Sequence, residues 1–218
     1  MTAPDQPPSD ARLVRRIVCV LRVAIAFSRD GVGCDGVAMS EINVRVLGEE
    51  DWQVYRDIRL AALREAPGAF VATRAQEEAL DEQRWRERLS GSRRLVAERD
   101  GRALGVVSLG HTEEPDPDPG TAELFGLWVE PEARGTGVAW RLVEAGADQA
   151  LRDGLSHLSY WVGTDNGRAV AFASSFGFRP GADRRPMRVA GEEDGAEEMA
   201  MVLPLGVDPG SVPSTRVR

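Results

Sequence analysis

A chain of 218 residues with 42% hydrophobic side chains is long enough for one domain with extensions and has the apolar mass for a core. Its formal net charge of −8 argues against general nucleic-acid binding, which needs a basic face, and is compatible with cationic substrates. Cys19 and Cys34 lie upstream of the domain, and His111 and His157 lack ligand spacing, so neither a disulfide framework nor a metal site is expected.

Residues 1–38 differ in composition from the rest of the chain. Thr2 to Asp10 is Pro-rich and polar, and Ile17 to Phe27 is apolar behind Arg15 and Arg16, in the manner of a signal peptide. Arg22 interrupts that run, no small-x-small cleavage site comes after it, and eleven residues cannot span a bilayer. We read 1–38 as a dispensable extension, 39–205 as the working domain, and the chain as cytoplasmic without stable membrane insertion.

Ile42 to Val46 alternates as a first strand. Glu49 to Glu65, with Trp52, Tyr55 and Leu63 on one stripe, predicts an amphipathic helix that Pro67-Gly68 stops. Residues 74–89 predict a second helix, carrying Ala75, Leu80, Trp85 and Leu89. Two apolar runs, Arg94 to Arg99 and Arg102 to Leu109, flank Asp100-Gly101 and predict a hairpin. Thr112 to Gly120 is an acidic, proline-stiffened loop: solvated surface or, if it overhangs a cleft, a selector for a positively charged acceptor.

The stretch from Ala122 to Glu144 organises the rest. Leu124, Phe125, Leu127, Trp128 and Val129 form an apolar run of strand length closed by Pro131, and Val138, Leu142 and Ala145 recur at helical spacing. In the loop between them Gly135 and Gly137 lack a Cβ, so backbone N–H groups can face an anion at the helix start, and Arg134 adds a charge. Arg134, Gly135, Thr136, Gly137, Val138 and Ala139 therefore make a phosphate or pyrophosphate cradle. It is not a dinucleotide fingerprint, because Trp140 occupies the last small position, nor a Walker loop, which needs Gly-Lys-Ser/Thr. Downstream, Leu158 to Val162 predicts a strand with Tyr160 on the side of Leu158, and Asn166 caps a helix carrying Ala169, Phe172, Ala173 and Phe176. Glu198 to Leu203 predicts a last strand after an acidic turn from Glu192, and Gly206 onward a disordered tail.

The Arg134-Gly135-x-Gly137-x-Ala139 pattern resembles the Gln/Arg-x-x-Gly-x-Gly/Ala signature of the GNAT superfamily of acyl-CoA-dependent N-acetyltransferases. Glu123 to Gly135 resembles that family's fourth strand, and Leu158 to Phe178 its fifth strand and fourth helix; the likeness extends over residues 42–203. It implies an α/β fold of α+β type: a mixed, mostly antiparallel twisted sheet of six to seven strands with about four helices and splayed central strands. It further implies acetyl-CoA as acyl donor and no metal, the pantetheine running past Leu127, Trp128 and Val129, its arm bonded by Asn166, and the pyrophosphate on Arg134 to Ala139. The helix and loop from Arg59 to Phe70 would wall the acceptor pocket, with Phe70 and Trp85 as either acceptor contacts or core. Glu123 matches the family's general base for a primary amine, small-molecule or peptide. Where many members carry an acid tyrosine this chain has Ala173; Ser174 lies about 100° round the helix from it, and Tyr160 is the second catalytic candidate. A homodimer is compatible with this reading, and a catalytically weak acyl-CoA-binding module is its alternative.

Overall fold

Asp100 and Gly101 both adopt positive φ, 53° and 75°, as a two-residue type I′ turn requires, and the twist of that turn matches its strands. In the computed structural model, which describes residues 41–111, 119–187 and 196–206, this turn joins β2 (Arg93–Arg99) to β3 (Arg102–His111). The hairpin belongs to a seven-stranded sheet with β1 (Asn43–Val46), β4 (Thr121–Val129), β5 (His157–Gly163), β6 (Arg179–Pro186) and β7 (Glu197–Pro204). Its order is β1-β2-β3-β4-β5-β7-β6. Every neighbouring pair is antiparallel except β4 and β5, so the expected mixed, mostly antiparallel sheet is present. The extension 1–38, residues 112–118 of the acidic loop, the acidic turn at 192–195 and the tail beyond Gly206 lie outside the described residues.

Five α-helices are described rather than about four: α1 (Trp52–Glu65), α2 (Arg74–Glu78), α3 (Glu82–Gly91), α4 (Val138–Arg152) and α5 (Gly167–Phe176). The extra one comes from a break in the segment read as a single helix over 74–89. Thr73 caps α2 in a reciprocal box with Gln76, and Asp81 accepts from the Arg84 N–H at 2.9 Å to start α3 afresh. A capping carboxylate inside a helical pattern competes with continuation of the helix. The strand β6 was not anticipated either. Its Arg- and Pro-rich sequence has no apolar alternation, and it is tolerated because it is an edge strand paired only with β7, with an irregularity between Pro180 and Arg184.

Two apolar layers cover the sheet. On one face the α4 stripe Val138, Leu142, Val143 and Ala150 packs with Leu124, Leu158, Val162 and Phe178. Gly105 allows this approach: a Cβ there would meet the Trp128 carbonyl at 2.9 Å and Val138 at 3.0 Å. On the other face α1 and α3 pack Tyr55, Ile58, Leu63, Trp85 and Leu89 over Val96, Val106 and Trp128. Phe70 and Trp85 belong to this layer at 8% and 0% exposure, which decides in favour of core over acceptor contact.

The three helices of that layer meet on one buried charge. Glu77, 1% exposed, accepts from Arg59 through both oxygens at 3.0 Å and from Arg88 at 2.9 Å. Burial alone pushes the Glu77 carboxyl up, but the Arg59 and Arg88 guanidiniums more than offset this and hold it below the usual carboxylate range. Glu77→Ala leaves two guanidiniums without their partner and is expected to cost about 3 kcal/mol in urea unfolding, the low end for a broken buried pair because Arg88 is partly exposed. Since the folded value is depressed, the contribution of Glu77 is present above the ordinary value of 4.5 and fades as pH falls below it. Wild type should therefore converge on the variant in acid; a stability difference that stays constant down to acid pH would show that the charge is not what holds the helices.

Candidate active site

The site is a gap in the sheet. The parallel pairing of β4 with β5 covers only Thr121–Leu124 against His157–Tyr160, while β4 continues to Val129 and β5 to Gly163. Against β3, Phe125 stands opposite Ser108 and Trp128 opposite Val106, so two residues of β4, Gly126 and Leu127, share the place of Val107. This is a β-bulge, and Gly126 takes φ of 63° within it. A bulge bends its strand and increases the local twist. Because β4 stays paired to β3 as far as Val129, the bend opens the β5 side, and Leu127, Trp128 and Val129 lie on the stretch of β4 not paired to β5.

The predicted anion loop lies at the mouth. Gly135 and Gly137 both have positive φ, 77° and 88°, and the space where each Cβ would stand is open. The first hydrogen bond of α4 at this end runs from the Arg141 N–H to the Gly137 carbonyl at 3.1 Å, so the N–H groups of Val138, Ala139 and Trp140 have no intrahelical acceptor. Thr136 serves the loop itself, its hydroxyl donating to the Ala133 carbonyl at 2.7 Å. Val138 offers only its backbone, since its side chain is in the core. Arg134 is tied back rather than extended: Nε donates to the Val129 carbonyl at 3.0 Å and Nη2 to Glu65 at 2.7 Å. The same Glu65 oxygen accepts from the Trp128 indole at 3.0 Å, and Arg134 foremost, then Trp128, hold its carboxyl below the ordinary range. Glu65 ends α1 and is far from the loop in sequence, so nothing local announced it.

At the closed end stands Glu123, 8% exposed. Ala122 and Leu124, then Leu127 and Val129 beyond the bulge, pack under α4, while Trp128 belongs to the opposite layer and Phe125 lies under the Arg94 guanidinium. Alternation puts Glu123 on that second face. There its Oε1 is 3.4 Å from Nη2 of Arg185, whose Nε donates to Glu198 at 2.8 Å and whose guanidinium lies 4.0 Å over the Trp161 ring. None of these three partners was singled out from the sequence; they come from β6, β7 and β5.

Tyr160 pairs with Leu124, so it faces the α4 side, edge-on to Phe178 at 6.2 Å. Burial, with the Glu198 charge adding to it, pushes its phenol above the ordinary value. The two catalytic candidates are thus one residue apart in register but on opposite faces of the sheet. Asn166 caps α5, its side chain accepting from the Ala169 N–H at 3.1 Å. Ala173 is fully buried in the core, whereas Ser174 is exposed. Among the described residues no group of three His, Cys, Asp or Glu is disposed to hold a metal ion, and no helix is long and apolar enough to cross a membrane.

A family model described as the acetyltransferase (GNAT) family matches residues 53–178, from α1 through the gap and loop to α5. The chain belongs to this family. In fold it is similar to the yncA protein of Salmonella typhimurium, solved with its cofactor acetyl-CoA, at 21% identity over 80% of this chain and 99% of that one, with a TM-score of 0.60. It is likewise similar to the ribosomal-protein-alanine N-acetyltransferase of Brucella melitensis, at 22% identity over 74% and 99% of the two chains, with a TM-score of 0.59. A curated relative, the mycothiol acetyltransferase of Kocuria rhizophila, is 33% identical over 60 residues, which is 28% of this chain and only 20% of that protein's length.

The bulge that opens this GNAT gap depends on one left-handed residue. A Cβ on Gly126 would meet only Ser108 Oγ, at 3.7 Å, so Gly126→Ala costs conformation rather than space. About 1–2 kcal/mol is expected in urea unfolding. An unchanged midpoint would mean that the strand bends for another reason.

Proposed function

We propose that this chain transfers acetyl from acetyl-CoA to a primary amine, of a small molecule or a peptide, by direct attack, with Glu123 as general base. The observation that carries this reading is the four-residue limit of the β4–β5 pairing, which leaves a strand-lined slot between an anion-ready loop and a buried carboxylate. A ligand with phosphates at one end, amides along its arm and a thioester at its tip matches those features in order. The pyrophosphate takes the N–H groups of Gly135 and of Gly137 to Ala139, the Thr136 N–H being turned to the Ala133 carbonyl, and is strengthened by the positive end of α4. The amides of the arm pair with the backbone of Leu127 and Val129; the Val129 carbonyl already accepts from Arg134, so the two donors share its lone pairs or Arg134 turns to the phosphates. Asn166 borders the far side at the start of α5.

The amine must attack uncharged. With an ordinary value near 10.4, removing its proton at neutral pH costs roughly 4–5 kcal/mol, and Glu123 is placed to take that proton as the N–C bond forms and the C–S bond breaks. The departing thiolate has an ordinary value near 8.5 and needs little help. Tyr160, on the other face of the gap, has its phenol proton available as a hydrogen-bond donor.

Gly137→Asp should abolish acetyl-CoA binding in calorimetry, because a carboxylate then stands where the phosphates must lie and a non-glycine residue is forced to φ of 88°. Unchanged affinity in a folded variant would place the coenzyme elsewhere. Glu123→Gln should lower kcat by about 10² to 10⁴ near neutral pH with little change in coenzyme affinity. The deficit should shrink as the pH rises toward the amine's own value. A deficit equal at every pH would assign Glu123 a structural role.

A further inference from the structure

The side chain in this region that stability explains least is Arg185. It sits on an edge strand whose residues are otherwise half-buried or exposed, yet only 15% of its side chain is accessible. Its Cα pairs with Glu198 on β7, and its guanidinium crosses the face of β5 over Trp161 to reach Glu123 on β4. One side chain thus spans four strands of the order β4-β5-β7-β6.

Its contacts are unequal. Glu198 takes the short bond at 2.8 Å, and Glu123 stands at 3.4 Å, the long limit of a hydrogen bond. The third nitrogen, Nη1, is buried with no partner among the described residues. A guanidinium placed only for stability would use that donor, because an unmet buried N–H costs about 1–3 kcal/mol. The position is instead what the rigid fork requires when Nε is fixed on Glu198 and the plane is pressed on an indole: Nη2 can then only face Glu123.

We propose that Arg185, anchored by Glu198 and Trp161, is a positioning residue that holds the Glu123 carboxylate at the closed end of the gap. This rests on Glu123 being the base. A carboxylate free to swing by an ångström loses its alignment with the amine proton, and misplacement of that size costs up to about 10²-fold in rate. Glu198 acts one step further back, by fixing the arginine.

The test is a double-mutant cycle on the full chain, with acetyl-CoA and a reactive amine acceptor. Arg185→Gln should lower kcat about 10- to 100-fold, with KM for acetyl-CoA unchanged, because the phosphate loop is remote. Arg185→Lys keeps the charge but not the fork that reaches both carboxylates, and should recover only part of the loss. In a Glu123→Gln background Arg185→Gln should change kcat less than about twofold, as expected for residues acting through one another. Glu198→Gln, which leaves Arg185 in place, should give a smaller loss that also disappears in that background; it carries the test together with Arg185→Lys if Arg185→Gln does not fold. If Glu123→Gln alone leaves kcat at the wild-type level, the base assignment falls. If Glu123→Gln is impaired but the Arg185 loss persists in full beside it, or Arg185→Gln and Glu198→Gln are both silent, the base stands and the positioning role is overturned.

Discussion

The extra residue of β4 sits in a strand with neighbours on both sides, and β4 keeps β3 while its pairing with β5 stops at Leu124. Its ladder with β3 continues past the bulge to Val129 opposite Gly105, so the gap opens where the parallel, slightly weaker pairing lies. The inserted residue also preserves the phase of the strand. Leu124 and Leu127 are three apart yet both pack under α4, and Glu123, Phe125 and Trp128 are left to the other face. Without the bulge, a straight β4 long enough to reach the phosphate loop would have had either a broken core stripe or a closed seam.

The two ends of the gap use similar components in opposite senses. At the mouth, Arg134, Glu65 and the Trp128 indole form a network next to the loop; at the closed end, Arg185 with Glu123 and Glu198 rests on the Trp161 ring. Because Glu65 already engages Arg134, the proposed anion site at the mouth rests first on backbone N–H groups, whose geometry two left-handed glycines set. Charge from Arg134 becomes available to an anion only at the expense of its bonds to α1 and β4. The closed end carries two carboxylates, Glu123 and Glu198, on one guanidinium, Arg185. On the proposed reading, the polyanionic coenzyme and the amine are thereby drawn to different ends of one slot.

What the sequence made legible was short in range. Asp100-Gly101 demanded a hairpin, the Arg134 to Ala139 spacing a loop at a helix start, and Asn166 a cap, and each signal lies within a few residues of the feature it produces. The strand β6 was invisible because an edge strand of arginines and prolines has no period-two apolar pattern to detect, and the break before α3 because Asp81 reads as one more charge on a charged helix. Glu65 and Arg185 were beyond reach for a different reason. They meet Arg134 and Glu123 across separations of 69 and 62 residues, and only the order of strands and helices brings them together. Tyr160 shows the limit within a single strand: its alternation with Leu158 and Val162 was plain, but that this put it on the face opposite Glu123 depended on a register no local pattern encodes.

That register bears on the proton balance of the transfer. A tyrosine on α5 at position 173 would have to displace a fully buried alanine from the core, so on the proposed reading Tyr160 is the remaining candidate donor to the leaving thiolate. Its phenol is held above the ordinary value of 10.0, whereas a thiol ionises near 8.5. Complete proton transfer from Tyr160 to the leaving thiolate is therefore uphill. On that reading, a hydrogen bond from the same phenol would stabilise the developing thiolate without moving the proton. Tyr160 would then act as a fixed donor, while the proton lost by the amine, or one from water, neutralises the thiolate, and the proposed transfer balances with no acid on α5.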